Sequence, residues 1–134
     1  MQVQPYLLFD GHCKEAIELY RRVLNIEVTM LMHFKECPDL SMVAPGTENK
    51  IMHMEFRLGD QTICASDGRC QGKEHFSGFS LTLNVKTTEE ADRIFAALSE
   101  GGEVQMPLCE TFYASSFGMV ADRFGVPWMI IVRK

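Results

Sequence analysis

Residues Glu15 to Met30 (EAIELYRRVLNIEVTM) lie over Glu90 to Met106 (EADRIFAALSEGGEVQM), with one extra residue in the second turn. Identities fall at Glu15/Glu90, Ala16/Ala91, Glu27/Glu103, Val28/Val104 and Met30/Met106, and the apolar pairs Leu19/Ile94 and Tyr20/Phe95 also match. An internal repeat constrains architecture more than any local propensity, because both copies must form the same supersecondary unit. A few identities in one window can arise by chance. The same order of elements on both sides of Gly72 makes duplication the better account and predicts two βαβββ units of about 60 residues each.

The elements follow from periodicity and punctuation. VQPYLLF is a short β-forming run stopped by Asp10 and Gly11. From Cys13 to Leu24 the apolar residues Ala16, Ile17, Tyr20, Val23 and Leu24 recur at helical spacing, and Asn25 ends the helix. IEVTMLMHF reads as a strand, and Glu36 to Asn49, with two prolines and no periodicity, as a long irregular loop. KIMHMEFRL and QTICAS are strands about a Gly59–Asp60 hairpin turn, and a polar stretch from Asp67 to Ser77 divides the chain. Beyond it SGFSLTLNV is a strand, Thr87 and Glu90 form a capping box, and Ala91, Ile94, Phe95 and Leu98 make an apolar stripe stopped at Gly101 and Gly102. EVQMPL, SSFGMVA and VPWMIIV complete the second set, the last two joined by a turn around Asp122 to Gly125.

Charge excludes several partners. With 13 basic against 18 acidic residues the chain carries a net charge of −5, so no basic field exists to neutralise nucleic acid or an anionic lipid surface. No apolar run approaches the roughly 20 residues of a bilayer span, and MQVQPYLLFDG has no secretory pattern, so a cytoplasmic location is expected. Cys13, Cys37, Cys64, Cys70 and Cys109 are odd in number, lack a CxxC, and read as reduced thiols.

The stretches PYLLFDGHCKEAIELY, SGFSLTL, ETFYASSFGMVAD and RFGVPWMI closely resemble the PhnB-like (3-demethylubiquinone 3-methyltransferase-like) branch of the vicinal oxygen chelate superfamily, which includes glyoxalase I, ring-cleaving dioxygenases and antibiotic resistance proteins. The resemblance covers nearly the whole chain. It implies an α+β fold in which two βαβββ modules form curled mixed sheets around a cleft, as one domain over residues 1–134 with module 1 at about 1–68 and module 2 at about 78–134. Pairing as a homodimer is implied too, with the modules combined within one chain or across two. Methyl transfer is not expected, because a cofactor of adenosylmethionine size normally sits behind a glycine-rich βα turn in a doubly wound domain, and no such unit occurs here. The superfamily's metal enzymes place ligands on the first and last strand of each module, positions that fall near Pro5, Cys64, Ser80 and Met129. A register error of one residue would substitute Tyr6, Ala65, Phe79 or Ile130. None is an ordinary ligand set for a hard divalent ion, so neither a metal at the usual place nor another cofactor is expected.

The remaining candidates are polar groups on strands rich in Met, Phe and Leu. His53 and Glu55 are two apart and share a strand face, as a general acid/base or ligand-orienting pair or else as a solvated pair beside Arg57. Glu110, Phe112 and Tyr113 put a carboxylate beside two rings, which suits a ligand rim. Glu110 is the third candidate acid/base group. Tyr6, Cys64, Ser66 and Ser80 are candidate ligand contacts, although Ser66 with Asp67 also suits a turn and Cys64 a buried small hydrophobe. Trp128 reads as a stacking platform or as a core or dimer-contact residue. His12 reads as a surface residue, and His33 and His75 have no evident partner. Met30, Met32, Met42, Met52, Met54 and Met106 suggest an adaptable apolar pocket or an irregular core. Together these features lead to the expectation of a small, partly apolar metabolite or drug bound without a divalent metal. The alternatives are an isomerase or lyase using acid/base residues, or a metal-dependent glyoxalase-type enzyme.

Overall fold

Period-two and period-3.6 patterns alternate in the order the repeat requires, and each half of the chain closes one sheet over one helix. The computed structural model describes residues 1–134, which fall into two units, Met1–Glu74 and His75–Lys134. The first holds β1 (Tyr6–Leu8), α1 (Cys13–Leu24), β2 (Glu27–His33), β3 (Ile51–Leu58) and β4 (Gln61–Ser66). Its sheet has the order β1-β4-β3-β2, with β1 parallel to β4 and the other pairs antiparallel. The second holds β5 (Leu81–Asn84), α2 (Thr88–Ser99), β6 (Glu103–Cys109), β7 (Ala114–Ala121) and β8 (Pro127–Arg133). Its order is β5-β8-β7-β6, with β5 parallel to β8. The chain is therefore α+β with two βαβββ units.

Helix α1 spans the residues its periodicity predicts and ends on Asn25 in the left-handed conformation, φ 55° and ψ 50°. Its apolar stripe packs on one face of the first sheet. Tyr20 stands between Phe9 and Phe56 with ring centroids 6.3 Å apart in each pair, and all three are fully buried. Burying each such side chain contributes roughly 1.5–3 kcal/mol. In the second unit the Thr87 hydroxyl accepts from the Glu90 N–H at 3.1 Å, which is the Thr87 half of the expected capping box, and Ala91, Ile94 and Leu98 form the buried side of α2.

The differences from the sequence expectation lie at ends and loops. The first strand is only Tyr6–Leu8 and the fifth only Leu81–Asn84, because those are the residues with ladder partners in β4 and β8. The loop after β2 contains two 3-10 turns, Phe34–Glu36 and Leu40–Met42. Glu36 accepts the backbone N–H of His33 at 2.6 Å and also approaches its ring, so His33 has a partner that sequence spacing did not reveal. Likewise Nδ1 of His12 meets Glu74 at 2.7 Å, across 62 residues.

Both sheets carry the same irregularity. In β2 the register advances by one between Val28 and Met30, and in β6 between Val104 and Met106. An extra residue in one strand reverses the facing of the residues beyond it. Met30 is thereby set opposite Glu55, and Met106 opposite Met119.

Candidate functional site

Alternation along each strand fixes which side chains leave the helix-covered face. In β3, Met54 and Phe56 point into the core while His53, Glu55 and Arg57 point away from α1. In β4, Ile63 and Ala65 face the core, and Thr62, Cys64 and Ser66 share the other side. In β1, Leu7 is buried while Tyr6 and Leu8 are about half exposed. The ladders align Tyr6 with Cys64, Cys64 with Glu55, and Glu55 with Met30, so these four form one row across the open face.

The row carries a hydrogen-bond relay. The Tyr6 hydroxyl lies 2.8 Å from Nδ1 of His53, and Nε2 of His53 lies 2.9 Å from Oε2 of Glu55. With Glu55 as a carboxylate, Nε2 must carry the hydrogen it donates, which leaves Nδ1 of a neutral ring to accept from the tyrosine. The imidazole and phenol rings are tilted at 35° with centroids 5.5 Å apart. His53 and Glu55 are each about three-quarters buried at the side chain. Cys64 lies under the relay, only 5% exposed, with its thiol donating weakly to Oε1 of Gln4 at 3.6 Å. Burial, with the nearby Glu55 charge second, pushes the Cys64 thiol pKa up.

Tyr6, His53, Glu55 and Cys64 are thus brought into one cluster, and Ser66 stands on the same face. The Ser66 hydroxyl accepts from the Gly68 N–H at 3.1 Å, which is the turn role. The other candidates belong to the second unit. Glu110 is exposed and forms a 2.9 Å ion pair with Lys134, whose hydrogen bond and charge hold its carboxyl below the ordinary range. Phe112 is 92% exposed and packs edge-on against Tyr113, centroids 5.1 Å apart. Ser80 is half-buried just before β5. Trp128 corrects the stacking-platform reading. It is fully buried, and its indole N–H donates to Asp122 at 2.9 Å, so it is a core residue of the second unit.

The sequence did not show that Tyr6 meets His53. Tyr6 and His53 lie on strands that do not pair with each other, and only the placement of β4 between β1 and β3 lets their side chains meet above Cys64. Gln4, two residues before β1, reaches Cys64 because β1 pairs directly with β4. A groove of about 650 Å³ lies on the other side of the first unit between α1 and β2, lined by charged Lys14, Glu18, Arg21 and Lys50 with Leu31 and Met54. It includes none of the relay residues.

The same register gives each relay residue a counterpart in the second unit. Met129 pairs with Thr82 on one side and Met119 on the other, and Met119 with Met106. The row Tyr6, Cys64, Glu55, Met30 becomes Thr82, Met129, Met119, Met106, and the position of His53 is taken by Phe117. The first- and last-strand donors are accordingly a phenol, a thiol, a hydroxyl and a thioether. Within neither unit is the pair a donor set suited to a hard divalent ion, which prefers carboxylate oxygen or imidazole.

Comparison with known proteins agrees with this architecture. The family model for 3-demethylubiquinone-9 3-methyltransferase matches residues 1–131. Protein YjdN of Escherichia coli K12 is 39% identical across all of this chain and 97% of its own length. The crystal structure of protein PA1353 from Pseudomonas aeruginosa superposes with a TM-score of 0.86 at 41% identity, covering 99% of this chain and 98% of that one. A PhnB protein from Bacillus cereus gives a TM-score of 0.83 at 25% identity, covering 98% and 99%. The fold is that of the glyoxalase and fosfomycin-resistance proteins. No helix is long and apolar enough to cross a membrane.

Proposed function

We propose a function for this chain from the family to which it belongs, the PhnB-like family described as 3-demethylubiquinone-9 3-methyltransferase: it binds a small, partly apolar molecule on the open face of the first sheet, anchored by Tyr6, His53 and Glu55. The observation that carries this reading is the relay of 2.8 and 2.9 Å on a face otherwise lined by Leu8, Met30 and Met32. A few inward polar groups on an apolar wall is the usual composition of a small-molecule site. With the Tyr6 proton committed to His53, the phenol oxygen offers lone pairs to a ligand hydroxyl or N–H. When the imidazole takes up a proton, Nδ1 donates to the phenol oxygen and the tyrosine O–H turns outward to a ligand carbonyl. Glu55 then stabilises the imidazolium, so the anchor suits oxygenated ligands of either polarity.

Binding on this reading needs no divalent ion at the glyoxalase-type positions, where Tyr6 and Cys64 in the first unit and Thr82 and Met129 in the second offer neither carboxylate nor imidazole. Methyl transfer has no support in the arrangement, because neither βαβββ unit offers the glycine-rich turn that holds a nucleoside cofactor. Assembly as a homodimer in the cytoplasm belongs to the same proposal. The exposed apolar side chains Met30, Leu31, Val104 and Met106 on the edge strands β2 and β6 support pairing, and the net charge of −5 argues against nucleic acid and anionic membranes as partners.

A second reading is favoured by the relay itself. A phenol, an imidazole and a carboxylate in series can move a proton, and an isomerase or lyase would use His53 as its base. A thermal-shift screen of oxygenated metabolites and antibiotics separates the two. A ligand whose stabilisation falls by about 2- to 10-fold in affinity in Tyr6→Phe or His53→Gln, and which is recovered unchanged, supports binding. Turnover that falls by about 100-fold or more in His53→Gln makes the protein an enzyme. Stabilisation by such ligands that is unaltered in both variants refutes this face as the site.

A further inference from the structure

We infer that His53, Glu55 and Cys64 form a binding site for a thiophilic divalent cation of the zinc type, which takes the last-strand position Cys64 but draws its other two ligands from β3 of the same unit. The three side chains each present one donor atom, and those atoms all lie within 4.8 Å of one another. Two adjacent antiparallel strands hold them. Glu55 and Cys64 are direct partners across β3 and β4, and His53 is two residues along β3 on the same face.

The separations are within side-chain reach of a tetrahedral centre. Donors at about 2.0 to 2.1 Å from one zinc ion sit roughly 3.3 Å apart, and a nitrogen and a thiolate sulfur roughly 3.5 Å apart. Nε2 of His53 and Oε2 of Glu55 are already 2.9 Å apart, held by the proton they share. A cation entering there replaces that hydrogen bond with two coordinate bonds and needs the pair to part by only a few tenths of an ångström. The thiol must approach by up to about 1.3 Å, a side-chain rotation rather than a backbone movement.

The surroundings match what such a site needs. Tyr6 bonds Nδ1 of His53 at 2.8 Å and so fixes the ring with Nε2 directed at Glu55. A hydrogen-bond partner on the second ring nitrogen is the usual support of a metal-bound histidine. Cys64 is buried beside this pair, while the face above is open through the half-exposed Tyr6, leaving a fourth position for water or a ligand atom. The mixed sulfur, nitrogen and oxygen set selects zinc, cobalt or copper over magnesium, calcium or manganese. On coordination the Cys64 thiol releases its hydrogen to solvent, and the thiolate binds the cation. The His53 ring gives up its hydrogen on Nε2 by shifting to the Nδ1–H tautomer, taking the tyrosine's proton position as the phenol turns its own O–H outward. A bound cation would break the relay, so metal and relay-anchored ligand compete for this face.

Titration of the purified protein with Co²⁺ alone tests this without any organic ligand. The expected result is one equivalent bound with a thiolate-to-cobalt charge-transfer absorption, which Zn²⁺ abolishes. Cys64→Ser should remove that absorption. His53→Gln and Glu55→Gln should each weaken binding by about 10-fold or more, and Tyr6→Phe by about 10-fold as a supporting partner. Cys109→Ser, which changes an exposed thiol, should leave the spectrum unaltered. An absorption that survives in Cys64→Ser, or the lack of any such band in folded wild-type protein at stoichiometric Co²⁺, would overturn the assignment. Small-molecule stabilisation of wild-type protein stripped of metal by a chelator reads the proposed binding function alone, so the metal site and that function fail separately.

Discussion

The carboxylate of Asp67 accepts the backbone N–H of Cys13 at 2.8 Å with one oxygen and that of Ile51 at 2.6 Å with the other. It is 1% exposed. The first residue of α1 and the first residue of β3 are thus tied to the end of β4 by one side chain. Because His12, at the cap position, makes no side-chain hydrogen bond to the helix, Asp67 supplies the cap from 54 residues away. Asp67→Ala leaves two buried N–H groups without acceptors and should cost about 2–5 kcal/mol in denaturant unfolding. A loss below about 1 kcal/mol would contradict this role.

Asp122 has the corresponding task in the second unit. Its Oδ1 accepts the N–H groups of Phe124 and Val126 at 2.9 and 3.1 Å, while Oδ2 takes the indole of Trp128. Asp122→Ala should therefore destabilise more than Trp128→Phe, which loses one hydrogen bond and some packing. We expect about 3–5 against about 2–3 kcal/mol, measured as the difference in unfolding free energy. The opposite order would show that the turn does not depend on the carboxylate.

A methyl group at Gly102 would collide with the carbonyl oxygen of Ala121 and approach Asp122 at 2.9 to 3.0 Å. The obstacle is backbone, which cannot rotate aside. Gly102→Ala should lower stability by about 1–3 kcal/mol, whereas Gly59→Ala meets no atom within 4 Å and costs only what its φ of 61° imposes. Paired thermal melts compare the two.

Alkaline stability should report on Cys13. Burial, reinforced by Asp67 and Glu15, raises its thiol pKa far above the ordinary value. The folded protein keeps the proton that the unfolded chain gives up above about pH 8.5, so the contribution is complete below that pH and is lost as pH rises. Wild type should lose up to about 1.4 kcal/mol per pH unit more than Cys13→Ala between about pH 9 and 10. Parallel stability curves would exclude it.

The architecture was legible because its signals are local or repeated. The Cys13–Leu24 stripe, the Thr87 cap and the Gly59–Asp60 turn each specify an element within a few residues. Strand ends were less legible, since Val3, Gln4 and Phe79 have β-compatible sequence but no ladder partner. The site was legible only in pieces. His53 and Glu55 follow from strand alternation, but the Tyr6 contact requires the sheet order, and the Asp67 and Asp122 anchors bond groups that no sequence periodicity brings together.

The shared bulge places Met30 and Met106 at the same station of two sheets whose other stations have diverged, one toward acid, imidazole and thiol, the other toward thioether and phenyl. One repeated plan thus carries hydrogen-bonding side chains in its first copy and mostly apolar ones in its second. Thr82, Phe117, Met119 and Met129 can be exchanged to retune lipophilicity without altering any donor of the proton chain. Evolution, or an engineer, can adjust what the second sheet likes to touch independently of what the first sheet is able to do.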